Sequence, residues 1–241
     1  MLTARGYRVA FQVQPALARL LAGLGGAAII PKGKPLPRTD RQIALLSLPR
    51  AFRTRVETIP GQVPYLAAPA EAVAKWRERL GETAALKVGL VWRGSPTFAN
   101  DRKRSIDPAL LAPLFAVPGV RLISLQKAPR KGDLAALRAI GQFDDVAKEL
   151  DDFADTAGAI MALDLVISVD TAVAHLAGAL ARPIWLLLPF APDWRWLLER
   201  PESPWYSTAR LFRQPALDDW PSVIARVAAA LRTMAAARLS P

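Results

Sequence analysis

From about residue 82 onward, short unbroken apolar runs alternate with stretches of helical periodicity, and that alternation leaves few folds open. The runs at 87–92 (KVGLVW), 121–125 (RLISL), Leu165–Val169 (LVISV) and Ile184–Leu188 (IWLLL) are short and largely apolar, as buried strands are. Between them, residues 108–115, Asp133–Ile140, 156–163 and 172–180 read as helices. Apolar strands separated by helices form a parallel sheet buried on both faces. Residues 82–200 are therefore expected to form a doubly wound α/β layer.

The first third repeats the pattern more weakly. YRVAFQV (7–13) reads as a strand, and Pro15 stands at a favourable first helical position for ALARLLAGL, which Gly25 and Gly26 stop. Residues 27–30 read as the next strand, followed by a basic, proline-rich loop (PKGKPLPR, 31–38) and an apolar run at 42–46 before Pro49. Residues 59–70 (IPGQVPYLAAPA) lack periodicity. The amphipathic stretch 69–80, with Pro69 at its start and Gly81 after it, predicts a linker helix. The expected division is residues 1–68, linker helix 69–81, a domain over 82–218 and a closing helical segment over 219–241, with its helix at 220–238.

Composition narrows the chemistry. With 52% hydrophobic and 22% charged residues the chain can bury a core. It has no Cys and one His, which excludes disulfides, iron–sulfur clusters and His- or Cys-rich metal centres, so any imidazole at work is His175. The net charge of +11 is uneven: residues 1–80 hold 13 basic side chains against Asp40, Glu57, Glu71 and Glu78, whereas the remainder is nearly balanced. The longest early uncharged run, 20–31, falls short of the ~20 residues a bilayer span needs. The opening MLTARGYRVAFQVQ has no apolar signal-peptide core, so a cytoplasmic location is expected.

Ligands in open parallel sheets bind beyond the carboxyl ends of the strands. In LDLVISVDTAVAHLAGAL (163–180) a buried strand runs into a helix that starts at Asp170 and Thr171. Asp170 is expected to be the N-cap, and the first-turn N–H groups and helix dipole would make an anion site. Thr171 and His175 are four apart and share a helical face; spacing alone leaves open that Asp170 only caps and His175 only fills space. KVGLVWRGSP (87–96) ends in a tight turn at Gly94 and Ser95, and Arg93, Arg102, Lys103 and Arg104 supply phosphate donors, with Ser105 expected to cap the next helix. Lys127 emerges at another strand end, and Trp194 and Trp196 read as packing residues. There is no phosphate loop, no nucleophile elbow and no Asp-x-Asp triplet; GLGG (23–26) follows a helix and is a stop. A bound diphosphate would have to be neutralised by helix N–H groups, Lys and Arg.

GLVWRGSP, DRKRSI, ISLQK, DDFADTAGAIMALDLVISVDTAVAHLAGALARPIWLLLPFAPDWRW, SPWY and RLFRQP, in this order and spacing, resemble the C-terminal half of the bacterial glycosyltransferases of family 9, the heptosyltransferase-like enzymes. The likeness is to the branch fused to tetratricopeptide repeats, and LLSLPRAF and TIPGQVPYL extend it through nearly the whole chain. The resemblance implies an α/β, GT-B-like architecture of two Rossmann-like domains, the C-terminal one holding the nucleotide sugar. It places Asp170, Thr171 and His175 in the D-T-x-x-x-H segment that receives the donor diphosphate. Lys127 falls at the strand-end lysine, and Trp92, Arg93, Gly94 and Ser95 in the loop facing donor and acceptor.

Family members open their N-terminal domain with a strand, a glycine-rich loop and a helix. MLTARGYRV corresponds to the end of that helix and the second strand, so the N-terminal domain is expected to be incomplete, its first βα unit missing, and no catalytic base can be named. The expected activity is inverting, metal-independent transfer from a nucleoside-diphosphate sugar, with no cofactor, to a glycan, lipopolysaccharide or protein acceptor. The +9 of residues 1–80 suggests an anionic acceptor, or a peripheral contact with the inner face of the membrane. The alternatives are a non-enzymatic module that keeps donor binding and, ranked last, a nucleic-acid binder. No recognised nucleic-acid motif accompanies the basic residues.

Overall fold

A computed structural model of the chain describes residues 1–239; Ser240 and Pro241, the end of the closing segment expected over 219–241, lie outside the described residues. The N-terminal third is built on two parallel strands, β1 (Val9–Val13) and β2 (Ala27–Pro31), in register from Val9 opposite Ala27 to Val13 opposite Pro31. The helix expected from Pro15 is shorter than its pattern suggests. A 3-10 turn, Pro15–Leu17, passes into one turn of α-helix, α1 (Ala18–Leu21). Three glycines follow within five residues, too poor in helix propensity to carry it further, and Gly26 takes a positive φ of 80°.

The apolar run 42–46 finds no strand to pair with. It enters a helical turn, Leu45–Ser47, and then α2 (Leu48–Ala51), leaving Leu45 and Leu46 exposed. The helix at the position expected for a linker, α3 (Ala70–Leu80), buries Ala72, Trp76 and Leu80 at a spacing of four, one face of a 3.6-residue repeat. That face packs on α7 (Phe153–Met161), where Gly158 leaves no room for a Cβ against the Ala72 backbone. Arg19 of α1 clamps the same helix, donating to Asp152 at 2.8 and 2.9 Å and lying 3.1 Å from Asp155.

Beyond α3 the chain forms one parallel sheet of β3 (Leu86–Val91), β4 (Val120–Ser124), β5 (Asp144–Asp145), β6 (Leu165–Val169), β7 (Ile184–Leu188) and β8 (Ala209–Arg213), in the order β5-β4-β3-β6-β7-β8. Alternate side chains feed two cores, as a pleated strand buried on both faces requires. Val166, Ile184, Leu186 and Leu188 point to one face with Trp76, Ile160 of α7, and Ala174 and Ala177 of α8 (Ala172–Ala179). Val88, Leu90, Leu165, Ile167 and Leu187 point to the other. There they meet Leu111, Leu114 of α5 (Ala112–Phe115), Leu137 of α6 (Asp133–Ile140), and the stripe Val223, Ile224, Val227, Leu231 of α9 (Trp220–Leu239). The short α4 (Asp101–Arg104) belongs to the loop after β3.

Two strands escape the sequence pattern. β5 is two residues long, and β8 is an edge strand with arginines at 210 and 213, the charged chemistry that edges carry. Ser105 does not cap the next helix; it is the C-cap of α4 (Asp101–Arg104). The helical turn that follows starts one turn later, at Pro108, and Asp107 caps it by accepting from the Ala109 N–H at 2.9 Å.

Candidate functional site

The strand order sets the place of the site. From β3 the chain winds outward through β4 to β5, then returns to β3's other side for β6 and winds the opposite way to β8. Loops leaving the carboxyl ends of β3 and β6 therefore diverge and open a crevice between them. A cleft of about 880 Å³ lies there, lined by the loops after β3, β4, β6 and β7. All its lining residues come from 91–195.

The N-terminus of α8 opens into this cleft. Its N-cap is Thr171, not Asp170: Thr171 has the extended backbone (φ −140°, ψ 169°) of a cap, while its hydroxyl lies 3.0 Å from Ser168 Oγ and makes no capping bond. The first-turn N–H groups thus keep no side-chain acceptor, and Ala172 and Val173 line the cleft with the positive end of the helix dipole behind them. Asp170 has a different task. Its carbonyl accepts from Arg104 Nη1 at 2.6 Å, and its carboxylate faces His175 Nε2 at 3.6 Å. Burial favours the protonated form of Asp170. The His175 imidazole and the Trp196 indole N–H, which turns toward the carboxylate without reaching hydrogen-bond geometry, outweigh burial and hold the group below the usual carboxylate range.

His175 stands one turn into α8 and also lines the cleft. Its ring stacks on Trp196 at 5.2 Å and 21°, and its Nδ1 lies 2.9 Å from Tyr206 Oη. Trp196 is buried and packs, as expected, with His175 as one of its neighbours, whereas Trp194 is 64% exposed. Tyr206, 31 residues away and in no strand or helix, closes the SPWY motif, but nothing in that motif signals its contact with His175.

The loop after β3 is held rigidly. The Gln126 side chain accepts from the Trp92 and Arg93 N–H groups at 3.2 and 2.9 Å. Arg93 forms a bidentate pair with Asp133 (2.6 and 2.8 Å), and the Trp92 indole donates to the same carboxylate at 3.2 Å. Burial pushes the Asp133 pKa up, but the bonds from Arg93, the Arg130 N–H and Trp92 prevail and hold it below the ordinary value. Asp101 anchors a second knot with Ser105, Arg130 and Arg104 at 3.0, 3.1 and 3.3 Å. Gly94 is required by close approach, since a Cβ there would overlap both the Asp101 carboxylate and the Arg104 guanidinium.

The expected site residues thus separate. Arg93, Gly94, Ser95, Lys127, Asp170, Thr171 and His175 all line one cleft. Trp92 does not; its side chain is fully buried beneath the loop. Ser95 Oγ pairs with Thr97 Oγ1 at 2.8 Å. Lys127 donates to the Ala147 and Leu150 carbonyls, and Arg93 is committed to Asp133, so neither is a fully free phosphate donor here. Lys103, Arg104 and Arg195 join them in the lining; Arg93, Arg104 and Arg195 are paired with Asp133, Asp101 and Asp193, so the positive excess that favours an anionic ligand rests on Lys103 and Lys127 against Asp170.

No protein-family model matches the chain. Over 208 residues it is 31% identical to Protein FlbA of Caulobacter vibrioides, a match covering 83% of this chain and 34% of that protein. The chain thus spans about a third of that relative's length. It is structurally similar to the E. coli ADP-heptose LPS heptosyltransferase II, with a TM-score of 0.55 at 17% identity over 99% of this chain and 80% of that one. It is also similar to a glycosyl transferase family 9 structure from Veillonella parvula, with a TM-score of 0.52 at 13% identity over 88% and 64% of the two chains. At these identities the likeness shows the fold, an α/β, GT-B-like arrangement built on parallel sheets.

Proposed function

We propose that the cleft at the carboxyl ends of β3 and β6 receives the diphosphate of a nucleoside-diphosphate sugar, and that the chain is part of a cytoplasmic glycosyltransferase. The observation that carries this reading is the N-terminus of α8. It opens without a side-chain cap at the switch point of a Rossmann-ordered sheet, in a cleft where cations outnumber carboxylates. The two structural neighbours, named as a heptosyltransferase and a family 9 glycosyl transferase, support it.

In such a transfer an acceptor hydroxyl attacks the anomeric carbon, its proton passes to a base, and the bond from that carbon to the phosphate oxygen breaks with its electron pair. Charge grows on the leaving diphosphate. Preorganised donors at that place stabilise the transition state more than the ground state. The Ala172 and Val173 N–H groups, His175 and Lys103 are the donors this cleft offers; direct in-line displacement on them would invert the sugar and call on no metal. The base belongs to the acceptor side, away from residues 91–195. The basic side chains from Lys32 to Arg55, none of which forms an ion pair among the described residues, support an anionic glycan or protein acceptor.

Calorimetric titration with UDP-, GDP- and ADP-sugars tests the reading. One of the three is expected to bind, with affinity falling about tenfold or more in His175→Ala. Failure of all three would reject it.

A further inference from the structure

His175 is gripped on three sides, and each grip is different. Trp196 covers one ring face at 5.2 Å, Asp170 Oδ1 lies 3.6 Å from Nε2, and Tyr206 Oη lies 2.9 Å from Nδ1. Tyr206 is itself held. Its ring lies so close over Gly178 of α8 that a Cβ there would overlap it, and its hydroxyl stands 3.5 Å from Tyr65 Oη. Tyr65 is fixed in turn, because its N–H donates to the Ala179 carbonyl at 3.0 Å, with the Leu66 N–H on the same oxygen at 3.2 Å. A chain of three side chains thus runs from the segment before α3 to the cleft, and nothing in the transfer chemistry above uses its two tyrosines.

The direction of its hydrogen bonds follows from what each group can do. Asp170 is held ionised, so it can only accept; at 3.6 Å it favours a proton on the nitrogen facing it but is too distant to hold that proton by a hydrogen bond. That nitrogen is Nε2. In the neutral ring Nδ1 then has only a lone pair to offer, and it needs a donor. Burial and the neighbouring Tyr65 push the Tyr206 phenol well above its usual range, so it keeps its O–H and can donate it. Tyr206 leaves its own oxygen free to accept from Tyr65.

We propose that Tyr206 is the positioning residue of this site: its hydroxyl, backed by Tyr65, fixes His175 as the Nε2–H tautomer, and that N–H, 3.6 Å from Asp170 and so outside hydrogen-bond length, is left for a ligand in the cleft beside the α8 N-terminus. Which nitrogen of a histidine is protonated is set by the hydrogen bond the other nitrogen makes. Without the Tyr206 hydroxyl the imidazole is free to exchange tautomers, and the donor aimed at the anion site is present only part of the time. The geometry stands on its own; its consequence for ligand affinity rests on reading the cleft as a diphosphate site.

A single histidine makes the test direct, since the imidazole region of a long-range proton–nitrogen NMR spectrum contains one residue. At a pH where the ring is neutral, the full chain is expected to show Nε2 protonated and Nδ1 bare. In Tyr206→Phe the pattern is expected to move toward a mixture or the Nδ1–H form, with circular dichroism unchanged. Gly178→Ala keeps the hydroxyl and displaces the ring, and should move the pattern the same way. A wild-type Nδ1–H ring, or a pattern unmoved by Tyr206→Phe, would overturn the proposal. Affinity for UDP, GDP or ADP, whichever binds, should fall about five- to tenfold in Tyr206→Phe. If the tautomer moves but none of the three nucleotides binds the wild type, the positioning role stands and the diphosphate reading fails. If a nucleotide binds and Tyr206→Phe leaves the tautomer unmoved, the reverse holds.

Discussion

Arg93 and Asp133, forty residues apart, meet as a buried bidentate pair, with Nε to Oδ2 at 2.6 Å and Nη2 to Oδ1 at 2.8 Å. Their side chains are 11% and 5% exposed. The pair ties the loop after β3 to the start of α6 and fixes one wall of the cleft. It also makes Arg93 a wall rather than a phosphate clamp.

Removing one partner leaves the other charged and buried, so Asp133→Ala should destabilise the protein by about 3–5 kcal/mol. Replacing both with apolar residues of similar size should cost far less. Urea denaturation of the two variants checks the difference.

Acid should weaken the same wall. The Asp133 carboxyl titrates below its ordinary 3.8 when folded, so its stabilising contribution is fully present above that value. It is lost as pH falls through the depressed folded pKa. Asp152, held down by Arg19, and Asp170 act in the same sense. Thermal unfolding midpoints should therefore fall steeply below about pH 4, and Asp133→Asn should flatten part of that slope.

Thr171→Asp separates stability from binding. Aspartate at an N-cap whose side chain now makes no capping bond should stabilise α8, by about 0.5–1 kcal/mol. The same carboxylate would occupy and repel the anion site, so diphosphate affinity should drop at least about tenfold. Differential scanning calorimetry and titration on one sample read both signs.

Gly94→Ala forces a methyl group against Asp101 and Arg104. It is expected to cost about 1–3 kcal/mol and to reduce ligand affinity, both measurable on the purified variant.

Sequence made the central sheet legible because β3, β6 and β7 are buried on both faces and so read as unbroken apolar runs; the bounds of β6, β7 and α6 match their patterns. The place of the site follows from the same pattern, since the residues just beyond β3 and β6 are fixed once the strands are. What each side chain does there depends on distant partners. Lys127 turns to carbonyls of residues 147 and 150, Trp92 to Asp133, and His175 to Tyr206. No local pattern encodes those pairings. The N-cap moved from Asp170 to Thr171 because backbone geometry, not residue preference, decides where α8 begins. β8 stayed hidden behind its two arginines, which suit an edge strand and interrupt its apolar run.

In the proposed function the α8 N-terminus and His175 together receive a diphosphate. The most direct measurement follows the one imidazole NMR signal while UDP, GDP and ADP, and the matching nucleosides, are added to the full chain. A saturable shift is expected with one of the diphosphates and none with its nucleoside. A His175 signal unmoved by all three diphosphates at low salt would contradict it.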